Sequence, residues 1–101
     1  MKPGWLLSTF TMQVQYEIRI SGRVQGVGFR AAARKQGRYL RLRGWEENLP
    51  DGSVRAMVKG DAESCAKFIN WCREGSAYSW VESLDMREMK PEDLGPFEII
   101  Y

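Results

Sequence analysis

Polar and apolar residues alternate strictly from Gln13 to Ile20. Because successive side chains of a β-strand point to opposite faces, this period of two is typical of a strand with one buried face, and we predict a half-buried strand here. The apolar face carries Val14, Tyr16, Ile18 and Ile20, and the polar face carries Gln15, Glu17 and Arg19. A glycine-rich loop is expected to follow at residues 21–28.

The period changes to that of a helix after this loop. Apolar or small residues recur at intervals of three or four over residues 29–40, and we predict a helix there. The members of its inner face are Phe29, Ala33, Gly37 and Leu40. A glycine in a helix interior costs about 1 kcal/mol relative to alanine, so Gly37 either weakens the helix prediction or marks a close approach.

A hairpin is expected next. Residues 42–47 are predicted to form a second strand, and the segment Leu49 to Gly52 has the proline and glycine of a tight turn. The alternating residues 54–59 form the return strand. Asn48 therefore lies at the end of a strand, directly before the turn, where an asparagine commonly serves as an Asx-turn residue.

The last part of the chain predicts a second helix and two further strands. Asp61 is expected to cap the N-terminus of this helix and Gly75 to end it. Its inner stripe consists of Cys65, Phe68, Ile69 and Cys72. Val81 and Leu84 break the period of the strand that follows, which indicates a β-bulge. The remaining expected segments are that strand at 80–89, a polar loop at 90–95 and a short strand at 97–101.

This order of elements, β-α-β-β-α-β with a short C-terminal strand, is the split βαβ pattern. We therefore predict an α+β, ferredoxin-like sandwich with two helices on one face of an antiparallel sheet. At 101 residues the chain has the length of one domain, which we place at residues 13–101. Residues 1–12 are predicted to be a loosely ordered extension, with an extra contact strand or a hydrophobic patch as alternatives.

Composition removes several classes of chemistry. The chain contains no histidine, which is the usual general base at neutral pH and a frequent metal ligand, so we expect neither a metal nor a cofactor. Cys65 and Cys72 would lie about 10 Å apart on one helix, too far for a disulfide. We expect buried thiols of a cytoplasmic protein. No apolar run is long enough to span a membrane.

The net charge of +2 is small, but its distribution is uneven. Between Ile18 and Trp45 there is no acidic residue, and the basic residues there are Arg19, Arg23, Arg30, Arg34, Lys35, Arg38, Arg41 and Arg43. This basic half would attract small anions. Several of these residues, namely Arg34, Lys35 and Arg38, fit a solvated helix face equally well.

The basic half contains a glycine-rich segment, Gly22 to Arg30, with the sequence Gly-Arg-Val-Gln-Gly-Val-Gly-Phe-Arg. Glycines allow backbone conformations in which successive N–H groups turn inward and form a nest for an anion, here with a helix N-terminus behind it. Arg30 adds a planar, charged fork suited to phosphate oxygens. The spacing differs from the P-loop and from the dinucleotide fingerprint, and taken alone it also fits a simple strand-to-helix turn.

This segment and a second one, Gly44 to Val54 with the sequence Gly-Trp-Glu-Glu-Asn-Leu-Pro-Asp-Gly-Ser-Val, resemble the two signature segments of the acylphosphatases. The resemblance covers roughly residues 14–101. It implies that Arg30 holds the phosphoryl group, that Asn48 orients the attacking water, and that backbone N–H groups of a loop bind phosphate. The loop residues are Gln25, Gly26, Val27, Gly28, Phe29 and Arg30.

The implied reaction is hydrolysis of the carboxyl-phosphate bond of a small acyl phosphate, by direct in-line attack of water, to a carboxylate and inorganic phosphate. The conjugate acid of the leaving carboxylate has a pKa of about 4, so the carboxylate departs unprotonated. A site without a histidine, a metal or a cofactor therefore suffices. Besides substrate and product we expect no nucleic-acid or membrane partner, and we expect a monomer. The fold of this family is the predicted one.

Two residues depart from the family pattern. Glu46 stands where an apolar residue is usual, and strand alternation places it on the same face as Asn48, where an inward carboxylate would repel an anionic substrate. Arg41 stands where a glycine commonly ends the first helix. It therefore needs another way to close that helix, such as a strained left-handed conformation.

Two other functions stay open at this point. One is a non-catalytic module that binds an anion or RNA through the basic half, although the aromatic motif of RNA-binding versions of this topology is not present. The other is a domain that senses or hydrolyses carbamoyl phosphate within a larger assembly.

Overall fold

The computed structural model describes residues 12–101. The expectation of a loosely ordered extension at residues 1–12 therefore lies, apart from Met12, outside the described part of the chain. We number the strands and helices along the chain. They are β1 (Gln13–Arg23), α1 (Phe29–Tyr39), β2 (Arg43–Asn48), β3 (Val54–Asp61), α2 (Ala62–Glu74), β4 (Trp80–Met89) and β5 (Glu98–Ile100). Each element expected between residues 13 and 101 is present, with small differences at its ends.

The strands form one sheet in the order β4-β1-β3-β2-β5. β1 pairs antiparallel with β3 and β4, and β2 pairs antiparallel with β3. β5 adds to the outer edge of β2 in parallel, which makes the sheet mixed at that edge. Helix α1 packs on β2 and β5, and α2 packs on β1, β3 and β4. The predicted ferredoxin-like α+β fold is thereby confirmed.

Neither helix between residues 12 and 101 is long and apolar enough to cross a membrane. The core lies between the helices and the sheet and includes the predicted inner stripe of α2. Its largest buried side chains include Phe29, Phe68 and Phe97. The ring centroids of Phe68 and Phe97 lie 5.4 Å apart, so the segment that precedes β5 is anchored on α2.

Gly37 marks a close approach rather than a weak helix. A Cβ at this position would lie 3.0 Å from the ring of Phe97, closer than the roughly 3.5–4.0 Å at which carbon atoms pack best. Helix α1 therefore needs a glycine where it meets the chain segment that leads into β5.

One polar residue of β1 is buried against expectation. Gln15 has no exposed surface, although alternation places it on the outer face of the sheet, because the segment after β4 crosses this face. The Gln15 amide donates a hydrogen bond to Glu92 Oε1 over 2.9 Å, and Gln15 Oε1 accepts one from the Glu92 backbone N–H over 2.7 Å. The two bonds satisfy the buried amide and fix the crossing segment.

Strand β1 continues to Arg23, beyond the predicted end at Ile20. Its pairing with β4 passes a bulge, at which Ser21 pairs with Ser83 and the next residue, Gly22, pairs with Val81. Gly22 has φ 129°, and a Cβ there would lie 2.2 Å from the carbonyl oxygen of Trp80. The predicted bulge in β4 is confirmed, and the strand opposite needs a glycine to pair past it.

Helix α2 begins and ends at the predicted residues. Asp61 caps it, since the Asp61 carboxylate accepts a hydrogen bond from the backbone N–H of Ser64 over 2.8 Å. Gly75 ends it with φ 79°, and the Gly75 N–H donates to the carbonyl oxygen of Trp71.

Helix α1 ends in a Schellman motif in which an arginine occupies the position that usually carries glycine. The N–H of Leu42 donates to the carbonyl oxygen of Gly37 over 2.9 Å, and the N–H of Arg41 donates to that of Arg38 over 3.0 Å. Arg41 has φ 59°, in the left-handed region. The strain expected at this residue is therefore present.

Replacing Arg41 with glycine is expected to raise the free energy of unfolding by about 0.5–1 kcal/mol. A left-handed conformation costs a residue with a Cβ roughly 1–2 kcal/mol, and the greater entropy of unfolded glycine offsets part of the gain. Urea denaturation followed by tryptophan fluorescence measures the difference. Arg41→Ala is the matched control, because it removes the same side chain and keeps the strain. An equal gain in that variant would assign the effect to charge rather than to φ.

Candidate active site

Residues 24–28 connect β1 to α1 as a loop whose glycines serve backbone conformation. Gly26 and Gly28 have φ 73° and 79°, and a Cβ at either position would meet nothing within 4 Å. The left-handed backbone, rather than a lack of space, therefore requires glycine. Val24 is 1% exposed and fixes the start of the loop against the core.

The loop leads directly into the N-terminus of α1, where Gly28 is the N-cap residue. Because glycine has no side chain to accept their hydrogen bonds, the first N–H groups of the helix are available to a ligand, and the helix dipole favours an anion there. The first turn of α1 contains no acidic residue. This is the arrangement in which helix N-termini bind phosphate groups.

Arg30 lies in the first turn of α1 and is half-buried. Its guanidinium carbon lies 5.2 Å from the centroid of the Tyr101 ring, within reach of a cation–π interaction. A cavity of about 150 Å³ brings the loop, the arginine and the end of the chain together. It is lined by Val24, Gly26, Gly28, Phe29, Arg30, Ala31, Ile99 and Tyr101.

Asn48 is the last residue of β2 and pairs with Val54. The turn that follows is tied to the glycine loop, because Gln25 Nε2 donates hydrogen bonds to the carbonyl oxygens of Leu49 and Ser53, over 2.8 and 2.9 Å. The structure thus brings Asn48 and the loop to the same end of the sheet. The Oδ1 atom of Asn48 is buried and has no hydrogen-bond partner within the described part of the chain.

The side chain of Gln25 is the contact that sequence patterns miss, since Gln25 enters the predicted site only through its backbone N–H. Its two acceptors lie 24 and 28 residues away along the chain, beyond any local pattern. The available signal is weak: one long amide side chain in a loop that otherwise consists of glycine and valine.

Val27 and Phe29 pack their side chains against the core. Val27 packs against the main core cluster. Phe29 is 1% exposed, and its ring centroid lies 5.5 Å from that of Trp71. Only the backbone N–H groups of these two residues are therefore candidates for contact with an anion.

Glu46 lies on the inner face of β2, two residues before Asn48, as strand alternation predicts. It is 1% exposed, and neither carboxyl oxygen has a hydrogen-bond partner among residues 12–101. Burial raises the pKa of Glu46 to about 8, although the nearby charges of Arg30 and Arg34 act to lower it. At pH 7 Glu46 is therefore mostly a neutral acid, and the repulsion expected from an inward carboxylate is largely absent.

Cys65 and Cys72 are free and buried, as their spacing predicts. Burial, with a smaller contribution from Asp61, raises the pKa of Cys65 to about 11. Burial also raises the pKa of Cys72, and Glu46 adds to that rise. Both thiols are therefore neutral and unreactive parts of the core, and Cys72 places α2 beside Glu46.

Comparison with known proteins identifies the family to which this chain belongs. The family model for acylphosphatases matches residues 16–99, which include the glycine loop, Arg30 and Asn48. The chain belongs to the acylphosphatase family. An acylphosphatase of Anaeromyxobacter dehalogenans (strain 2CP-C) is 42% identical over 88 residues, which cover 86% of this chain and 95% of that protein. An acylphosphatase of Thermococcus kodakarensis is 39% identical over 88 residues, which cover 87% of this chain and 97% of that protein.

Acylphosphatases of known structure share the fold as well. The crystal structure of acylphosphatase from Bacillus subtilis superposes with a TM-score of 0.84 at 34% identity and covers 89% of this chain and 100% of that one. The resemblance of the two signature segments and the predicted fold class are thus confirmed. The structure accommodates Glu46 and Arg41, the two residues expected to depart from the family pattern, by a raised pKa and by a left-handed backbone.

The free energy of unfolding is expected to fall as pH rises from about 4.5 to about 8, the ordinary and the folded pKa of Glu46. Glu46 is protonated in both states below this window. Within it, the unfolded chain ionises first, and above it the folded state carries the full cost of a buried carboxylate, on the order of 5 kcal/mol. Urea denaturation at both ends of the window measures this slope.

Glu46→Gln should remove most of that slope, because an amide does not titrate. Glu47→Gln is the matched control, since Glu47 is the next residue of β2 and pairs with Arg55. Asp51 and Asp61 do not interfere, because hydrogen bonds from Ser53 and Ser64 lower their pKa values and place their titration below the window. An equal slope in wild type and Glu46→Gln would contradict the assignment.

Proposed function

We propose that this chain hydrolyses the carboxyl-phosphate bond of small acyl phosphates by in-line attack of water and releases a carboxylate and inorganic phosphate. The backbone N–H groups of residues 25–30 and the Arg30 guanidinium hold the phosphoryl oxygens, and the Asn48 amide orients the water. Membership of the acylphosphatase family supports the reaction. One observation carries the residue roles: the hydrogen bonds that tie Gln25 to the turn after Asn48.

The charge of Arg30 is available to a ligand. Arg30 forms no ion pair with any described residue from 12 to 101, and its guanidinium lies over the ring of Tyr101. Phosphoryl transfer depends mainly on positioning and on charge stabilisation at the three peripheral oxygens. A planar fork beside a row of backbone N–H groups supplies both.

The side-chain oxygen of Asn48 supports the role in orienting water. An unpaired buried acceptor costs about 1–3 kcal/mol, and Asn48 Oδ1 is such an acceptor among the described residues. A hydrogen bond donated by the attacking water would offset this cost. Because the Asn48 turn is fixed to the phosphate loop, the same bond would aim the water along the line of attack.

The leaving group explains why so few side chains suffice. Its conjugate acid has a pKa of about 4, so the carboxylate departs without a proton from the protein. The attacking water loses its proton to a phosphoryl oxygen, and the released phosphate carries that proton away. The absence of histidine from the sequence is compatible with this chemistry.

The test is the release of phosphate from benzoyl phosphate in the presence of a chelator, by wild type, Arg30→Ala and Asn48→Ala. Arg30→Ala should lose nearly all activity, because both binding and charge stabilisation fail. Asn48→Ala should mainly lower kcat, by about 10²–10³. Arg73→Ala and Asn70→Ala are matched controls, since both residues lie exposed on α2 and line a separate groove with Tyr16 and Met86.

Each outcome separates the competing functions. Wild-type turnover in Asn48→Ala would remove its role as the water-orienting residue. A folded wild type that binds phosphate but hydrolyses no acyl phosphate would favour the anion-binding module instead. Equal loss in Arg30→Ala and Arg73→Ala would show that a general charge effect, rather than the loop, is responsible.

The proposal includes the cytoplasm as compartment and a monomer as the active form. The free, buried Cys65 and Cys72 suit a reducing compartment. Light scattering of the purified chain should give the mass of one copy, 11.7 kDa. A stable dimer would contradict the monomer.

A further inference from the structure

Glu46 is a buried titratable group two residues before Asn48, and the proposed mechanism has no use for it. Two helices and two strands contribute groups around it. Helix α1 contributes the charges of Arg30 and Arg34, and α2 contributes the thiol of Cys72. The neighbouring strands contribute Ala56 of β3 and Ile99 of β5, which do not titrate. Two cations thus act on one buried carboxyl group whose neighbours on the adjacent strands are apolar.

The carboxyl group of Glu46 has no hydrogen-bond partner among residues 12–101. Both of its oxygens are buried without a hydrogen bond from any residue between 12 and 101, and neither arginine forms an ion pair with it. Arg30 instead lies over the Tyr101 ring. An ionised carboxylate in this position is costly, and burial accordingly raises the pKa of Glu46 to about 8.

We propose that Glu46 is a proton-linked positioning residue of the phosphate site, which leaves Arg30 free for the phosphoryl group when neutral and competes for it when ionised. The inference rests on the proposed role of Arg30. The carboxylate would attract Arg30 toward the core and would repel the phosphoryl dianion, so both effects weaken phosphate binding. The site is therefore competent when Glu46 holds its proton and impaired when the proton is lost.

Linkage makes this relation reciprocal. If ionisation of Glu46 weakens phosphate binding, bound phosphate must raise the affinity of Glu46 for its proton by the same factor. Above the pKa of the free site, phosphate binding should therefore be accompanied by proton uptake. The dissociation constant should rise about ten-fold between roughly pH 7 and pH 9.5 if the bound anion shifts the Glu46 pKa by about one unit.

Calorimetric titration of the full chain with inorganic phosphate tests this over that pH range. Two buffers with different ionisation enthalpies give the number of protons taken up. At the alkaline end inorganic phosphate is itself dianionic, so uptake there belongs to the protein. Wild type should show uptake and a rising dissociation constant. At the alkaline end of the range Glu46→Gln should show neither the uptake nor the rise, and Glu47→Gln, altered at the next residue of β2, should behave as wild type.

If Glu46→Gln does not fold, Glu46→Val is the second variant. It removes the titrating group, and valine suits the apolar neighbours Ala56 and Ile99. In hydrolysis of benzoyl phosphate, the KM of wild type should rise with pH while that of Glu46→Gln or Glu46→Val stays flat. A purely structural role would change stability without removing the pH dependence of KM and the proton uptake.

The outcomes are distinguishable from failure of the proposed reaction. Wild type without hydrolytic activity would overturn the proposed function, whereas proton uptake on phosphate binding would still support the inference. A dissociation constant that does not change with pH, uptake that persists unchanged in Glu46→Gln, or no binding of phosphate at all would each overturn it.

Discussion

The hydrogen bonds from Gln25 to two carbonyl oxygens of the β2–β3 turn are the contact on which the geometry of the site depends. Each side of this contact is also held by contacts of its own. The loop is anchored in the core through Val24 and Phe29, and the turn is closed by a hydrogen bond from the N–H of Leu49 to the carbonyl oxygen of Ser53, over 2.8 Å. The single amide group of Gln25 therefore fixes the position of the glycine loop relative to the β2–β3 turn.

The sequence patterns correctly predicted those structural features that depend on residues close together in the chain. The alternation of β1, the stripe of α2, the cap at Asp61 and the bulge in β4 each depend on a few neighbouring residues, and each is present. The distant contacts were beyond such patterns. Gln15 is buried because a segment some 77 residues away crosses the sheet, and β5 pairs in parallel with β2 because its partner is set by the whole topology.

In the candidate site, too, some features could be predicted from short segments and others depend on distant residues. The glycine loop, Arg30 and Asn48 follow from two short segments and from the family they resemble. The position of these groups relative to one another depends on Gln25. The protonation of Glu46 depends on how deeply its side chain is buried, and a strand pattern indicates only which face the side chain is on. Arg41 and Glu46 show that the fold tolerates locally unfavourable residues, one through backbone strain and one through a retained proton.

The edge strands of the sheet affect how readily copies of the protein pair with one another through their strands. β5 covers part of one edge, and among the strands between residues 12 and 101 none pairs with the outer edge of β4, which has ten residues. Long open edges invite strand addition by another chain. The exposed side chains along β4 include Glu82, Asp85 and Glu88, so two copies that met edge to edge would bring negative charges together across the new ladder. This repulsion disfavours edge-to-edge pairing of two β4 strands, in a chain that has four tryptophans and four tyrosines.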